Sequence, residues 1–389
     1  MKSERSVIML VAVDQHGKAI SLVKRPPEAL ISELRSSRHF CPVCRQPVIL
    51  KAGAVKVPHF AHMQAHSCDS FTERESDRHL KGKVDLYSWI SRYEKVKLEA
   101  FLPDISQRPD LLAEGKVAVE YQCSHISANL FVKRTAGYKA NGVFPLWIYG
   151  GPPIKKQAHL YRFSAFHRLF FQYSPLFGFW FLMYCPEREA FLLYSQLTPI
   201  SASLYSASVQ IIPLTYLPYP PSFAKKQPPT LFSLSQWFKQ KNQWIQKQLY
   251  FKQGVYHPFL SLVYKTGHNP FLLPEWIGVP VRYMALIKNH PIEWQFYLWK
   301  DLLSRKKEAG VQEAVNVIEE YVAKGNLQMN IFPLVSSLTV TDLTKEYLFL
   351  LQSADVKSLQ ASKTTFEQMA KEKRFAADYE ELIMNRLIF

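Results

Sequence analysis

Along the first 150 positions, apolar residues come in short runs divided by polar turns, each the length of a strand or a short helix. Val7 to Val13 is followed by Asp14-Gln15-His16-Gly17, and Ala19 to Val23 returns from it, which predicts a hairpin. Glu28 to Arg35 reads as a short helix, and Val48 to Lys51 with Val55 to Val57 as a small hairpin turned at Ala52-Gly53-Ala54. Thr72-Glu73-Arg74-Glu75 is a capping-box pattern that predicts a helix to about Arg92. Strand-like runs follow at Lys95 to Leu102, Pro109 to Ala113 and Lys116 to Gln122. Ser124 or Ser127 can cap a helix that stops at Asn141-Gly142, and Val143 to Tyr149 is a last strand before Gly150-Gly151-Pro152-Pro153. The predicted order from Thr72 to Gly150 is α-β-β-β-α-β.

Beyond that break the pattern changes. From about 155 to 274 aromatics, prolines and lysines dominate and no period stands out, whereas helix formers return at Lys300 to Lys324 and Asp342 to Met384. The expected organisation is an N-terminal hairpin and metal-binding domain over 1–70 and an α/β domain over 71–153. A basic, aromatic-rich and then mainly helical region completes it over 154–389.

Two apolar runs bear on membranes and secretion. Val7 to Val13 is short, has Glu4 in front of it and lacks a small-residue cleavage site, so a signal peptide is not expected. Leu169 to Cys185 is broken by Gln172 and Pro175, and the remainder is far short of the roughly 20 residues a spanning helix needs. It reads as buried core. The expectation is a cytoplasmic protein with no membrane span.

Charge sharpens the picture. The chain carries a formal +16, and residues 121–274 hold 15 Lys/Arg against two acids, Glu187 and Glu189. Solubility does not call for such a gap, but a polyanionic partner does, because neutralised phosphates release counterions. Between Pro218 and Pro274, Lys225, Lys226, Lys239, Lys241, Lys247, Lys252 and Lys265 alternate with rings, which suits single-stranded nucleic acid. The plainer alternative is a buried stripe of Trp237, Trp244 and Phe251, seven residues apart, with the lysines on its wet face.

Five cysteines are an odd number, and three cluster with histidines, which points to metal and a reducing compartment more than to disulfides. Cys41-Pro42-Val43-Cys44, His59-Phe60-Ala61-His62 and Cys68 offer a closed tetrahedral zinc site of a knuckle or ribbon. The favoured ligands are Cys41, Cys44, His62 and Cys68, with His59 as the alternative histidine. Four protein ligands leave no open position, so this zinc would be structural.

The candidate chemistry lies at residues 107–122. A turn centred on Gly115 sets Asp110 opposite Glu120, with Ala118, Glu120 and Gln122 on one strand face. Opposed residues have Cβ atoms about 4.5–5.5 Å apart, and two carboxylates that close repel unless a cation lies between them. A hard divalent ion such as Mg²⁺ suits that arrangement. The alternative is a surface hairpin in which Asp110 pairs with Arg108 or Lys116.

Pro109-Asp110, a spacer, then Glu120-Tyr121-Gln122 resembles the PD-(D/E)XK nuclease pattern, and the α-β-β-β-α-β order is that of its restriction-endonuclease-like core. With Cys41 to Cys44, His59 to His62, Glu75-Ser76 and His79, Gln107 to Asp110, Val119 to Ser124, Arg134, Tyr138 and Pro145-Leu146-Trp147, the chain resembles the competence protein CoiA family. The likeness is dense over 1–150 and looser through Pro274-Glu275-Trp276.

The resemblance implies a metal-dependent DNA nuclease acting on incoming DNA or recombination intermediates during transformation. It makes Asp110 and Glu120 ligands of Mg²⁺ or Mn²⁺, with Glu75 as a third carboxylate. Gln122 stands where the superfamily usually has lysine, a departure that Lys83 or Lys133 could offset. Arg134 and Tyr138 would face the site from one helix, while His79 and Lys83 share a helix face with Glu75. Single-stranded or branched DNA and recombination proteins are the expected partners. The rival expectation is a non-catalytic DNA-binding recombination factor that retains the nuclease fold. A protein-binding scaffold is a third, against which the acid-poor segment speaks.

Overall fold

The computed structural model describes residues 8–23, 26–53, 56–63, 76–224, 233–251, 256–304, 309–354 and 360–388. Cys68, Glu75 and the Thr72–Glu75 capping box lie outside them, as do Lys225, Lys226 and Lys252. The chain divides into two compact units. The first takes 1–153 together with 181–193 and 209–224, and the second takes the remainder.

The first unit opens with a six-stranded sheet built from β1 (Ile8–Met9), β2 (Val11–Val13), β3 (Ala19–Ser21), β4 (His39–Phe40), β5 (Pro47–Lys51) and β6 (His59–His62). Helix α1 (Glu28–Ser36) packs beside it, burying Ile31 and Leu34. The apolar run read as one strand is split at Leu10, whose backbone N–H leaves the sheet. The second hairpin also differs from expectation, since β5 pairs with β6, while Val55 lies outside the described residues. The longer connection sets Val48 opposite His62 and Lys51 opposite His59.

From Asp77 onward the elements run α2 (Asp77–Ile90), β7 (Val96–Leu98), β8 (Leu111–Ala113), β9 (Val117–Gln122), α3 (Ala128–Ala140) and β10 (Phe144–Tyr149). This is the α-β-β-β-α-β order read from the pattern. Ser76 caps α2 by accepting from the His79 N–H, and Ser127 caps α3 by accepting from the Leu130 N–H. β7, β8 and β9 are antiparallel, while β10 runs parallel to β9, as its crossover through α3 requires. Trp147 on β10 stacks on Phe131 of α3 at 3.9 Å and donates to Thr135, which seats that helix.

Further strands follow Pro153 in the chain. The strand-like stretches left unassigned by the pattern are β11 (Lys155–Gln157), β12 (Leu160–Arg162), β13 (Gln172–Ser174), β14 (Gly178–Cys185), β15 (Ala190–Pro199) and β16 (Leu204–Pro213). Within the first unit β14 pairs in parallel with β10, Tyr149 opposite Met183. The Trp89 indole donates to Leu217 O and packs on Phe191 and Tyr219, tying both later segments of this unit to α2.

The second unit pairs β11 with β12, β12 with Leu204 and Tyr205, and β13 with Gly178–Trp180. Besides the second half of β15 and the start of β16, its elements are helices: a short α4 (Ala165–Arg168), then α5 (Leu234–Tyr250), α6 (Pro258–Lys265), α7 (Pro291–Leu298), α8 (Val311–Ala323), α9 (Val340–Ser353) and α10 (Thr365–Ile388). The expectation of a mainly helical region thus describes the end of the chain and misses the strands before it. Among the described residues no helix is long and apolar enough to cross a membrane.

Candidate functional site

The hairpin turns through Glu114 and Gly115, both at positive φ, and its register sets Leu111 opposite Val119 and Ala113 opposite Val117. One step further along that ladder, Asp110 stands at the level of Glu120. On the other side the Glu99 N–H donates to Asp110 O at 2.9 Å. Glu99 and Asp110, just outside the ends of β7 and β8, and Glu120 within β9 therefore stand at one level across the three strands.

Each acid has basic or donor partners. Asp110 Oδ2 lies 3.2 Å from His79 Nε2 and accepts the Tyr121 N–H at 2.9 Å, and Oδ1 is 3.7 Å from the Lys83 ammonium. Burial would raise the Asp110 carboxyl, but His79, Lys83 and the Tyr121 amide outweigh it and hold it well below the usual carboxylate range. Glu120 is buried, and its Oε1 takes the Arg134 guanidinium at 2.5 Å and the Tyr138 hydroxyl. The i, i+4 spacing on α3 brings those two side chains to one carboxylate. Burial and the adjacent Glu120 charge push the Tyr138 phenol far up, so it stays a donor. Gln122 is buried and donates through Nε2 to Ser124 O, while Lys133 is exposed.

Glu99 was not singled out in the sequence. It accepts from Lys83 at 2.5 Å, from Arg108 through Oε2, and from the Leu10 N–H at 3.2 Å. Lys83 has no solvent exposure, so α2 delivers one ammonium to two carboxylates. Arg108, a possible partner of Asp110 in the surface-hairpin reading, pairs with Glu99 instead, and its carbonyl accepts from Arg134.

Apart from this row, the ligand atoms of Cys41, Cys44 and His62 lie within 4.8 Å of one another, with Cys44 Sγ 3.2 Å from His62 Nε2. A tetrahedral zinc centre holds such a sulfur and nitrogen roughly 3.6 Å apart, so the donor set and spacing fit. The His59 ring is engaged elsewhere, Nδ1 lying 2.8 Å from Val57 O.

The fold is that of a mixed α/β protein, and its Cys41, Cys44 and His62 could hold a metal ion. Residues 75–227 match the family model "Competence protein CoiA, nuclease-like domain", 24–71 match its N-terminal domain and 232–383 its C-terminal domain. The Competence protein CoiA of Bacillus subtilis (strain 168) is 37% identical over 273 residues, which cover 69% of this chain and 72% of that protein. The chain belongs to the competence protein CoiA family, as its motifs implied. No solved structure matches it.

Proposed function

We propose that this chain is a deoxyribonuclease that uses Mg²⁺ or Mn²⁺ at Asp110 and Glu120 to process incoming DNA or recombination intermediates during competence, in the cytoplasm. The observation that carries this reading is the β8–β9 hairpin, which holds two buried or half-buried carboxylates at one level, Asp110 in its ionised form. Oxygen donors of that kind suit a hard divalent cation, which when bound supplies a Lewis acid for a phosphoryl oxygen and eases ionisation of water. Glu75 would add a third carboxylate. Lys83 provides the positive charge that Gln122 lacks, and the Gln122 amide orients water. His79 holds Asp110, while Arg134 and Tyr138 hold Glu120, and Arg134, the partly exposed one of the two, contacts DNA. Zinc on Cys41, Cys44, His62 and Cys68 would be structural.

One observation favours a second reading. Asp110 is already paired with Lys83 and bonded to His79, Glu120 is paired with Arg134, and Gln122 replaces the usual lysine. Those pairs suit a DNA-handling factor that has given up hydrolysis.

Labelled linear, single-stranded and branched DNA incubated with Mg²⁺ or Mn²⁺ separates the two. Cutting by the native protein, lost by at least 10²-fold in Asp110→Ala and Glu120→Ala, is the expected result, in line with loss of a metal or electrostatic group. No cutting by native protein, with salt-sensitive binding retained, would establish the second reading.

A further inference from the structure

Helix α5 contains no acidic residue, and its polar positions are asparagine, glutamine, serine and lysine. One buried cation is spent internally, since Lys241 pairs with Glu372 at 2.9 Å. Lys239 and Lys247 remain exposed. The rings on this helix divide sharply. Trp237 is buried and Trp244 is half-buried, but Tyr250 is 84% and Phe251 65% exposed, so the expected apolar stripe does not extend to the helix end.

Two grooves adjoin along α5 and share Gln243 and Gln246. One, of about 500 Å³, is lined also by Lys239, Asn242, Lys373 and Glu372, the carboxylate that Lys241 holds. The half-buried Asn242 Oδ1 accepts no hydrogen bond from any described residue. The other, of about 610 Å³, runs past Lys247 to Tyr250, Phe251 and Phe271. The track thus begins among ammonium and amide groups and ends on rings open to solvent.

We infer that this track along α5 binds single-stranded DNA, with Lys239, Lys247 and Lys373 on phosphates, the amides on base edges, and Tyr250 and Phe251 stacked on bases. The choice of a nucleic acid rests in part on the DNA-processing reading above. Its independent support is charge, because α5 lies in the segment of 15 cations and two acids. Duplex is disfavoured as occupant, since paired bases offer no faces to the rings, whereas each unstacked base on an aromatic ring is worth about 1–3 kcal/mol. Amide side chains serve the same end by reading base edges without adding charge.

The test is binding of a fluorescent thymidine oligonucleotide to full-length protein with Glu120→Ala as background, so that cleavage cannot intervene. Tyr250→Ala/Phe251→Ala is expected to weaken binding by about 5- to 150-fold per stacked base. Lys239→Ala/Lys247→Ala should weaken it and lower its salt dependence by about one to two counterions. Both ring positions are too exposed for the change to unfold the unit, and circular dichroism should be unaltered. Affinity unchanged by both double variants, or equal duplex affinity that is insensitive to the rings, would overturn the inference. So would the absence of oligonucleotide binding, which leaves a protein as the partner of this face. Failure of cleavage alone in the native protein bears only on the function proposed above.

Discussion

Glu99 shows how much of the site hangs on one side chain. It is buried, yet Lys83 and Arg108 hold its carboxyl below the ordinary range against the effect of burial. A depressed folded-state carboxyl contributes stability that is complete above its unfolded value, near 4.3, and fades as pH falls through the folded one. Asp110 adds to the same trend from about 3.9 downward. Urea unfolding should therefore change little from pH 7 to about 5 and weaken steadily below about 4, less steeply in Glu99→Gln. Glu99→Ala removes the nearer carboxylate of Lys83 and the carboxylate that Arg108 pairs with, and is expected to cost about 3–5 kcal/mol. The Asp110–Glu120 register was legible because a glycine turn fixes it by counting. Glu99 was not, since its partners lie 16, 9 and 89 residues away and it sits at positive φ beyond the end of β7.

Between elements, contact distance decides what a helix tolerates. A Cβ on Gly82 of α2 would fall 2.0 Å from the Tyr121 ring, which is also closed in by Gly150. On Gly137 of α3 it would meet the Gln107 side-chain amide at 2.3 Å. The first neighbour is a ring fixed in the core, and the second is the far end of a flexible chain. Gly82→Ala is expected to destabilise by about 1–3 kcal/mol or more. Gly137→Ala should be near neutral, because the gain in helix propensity of about 1 kcal/mol offsets the displaced amide. Thermal or urea denaturation of the two variants checks the contrast, and equal effects would contradict it. From Asp77 to Tyr149 the order of elements could be read from the sequence because the β8–β9 turn carries Gly115 and α3 starts at Ser127 and stops at Asn141-Gly142. β14 and β15 could not. Phe181 to Cys185 and Ala190 to Thr198 are buried at every position, so the apolar–polar alternation that marks a half-exposed strand is missing.

At the scale of the molecule, the Cys41, Cys44 and His62 cluster is packed into the N-terminal sheet, where Cys41 belongs to a core with Met9, Leu22, Val48 and Phe60. Cys41→Ser/Cys44→Ser should lower bound zinc from about one equivalent to near zero and depress the melting temperature, as removal of a structural metal does. Metal analysis showing undiminished zinc would reject the site. The three-segment make-up of the first unit has a consequence for how the protein is made. β10 pairs with a strand that lies beyond Ala165–Arg168 in the chain, and α2 is covered by Leu217 and Tyr219. A nascent chain emerging from the ribosome therefore cannot close this unit when Pro153 appears. It must wait until about Ala224 has been translated, at roughly 5–20 residues per second, with one face of α2 and an edge of β10 uncovered meanwhile. A fragment ending at the glycine–proline break would be held permanently at that stage, and aggregation during expression is its expected fate.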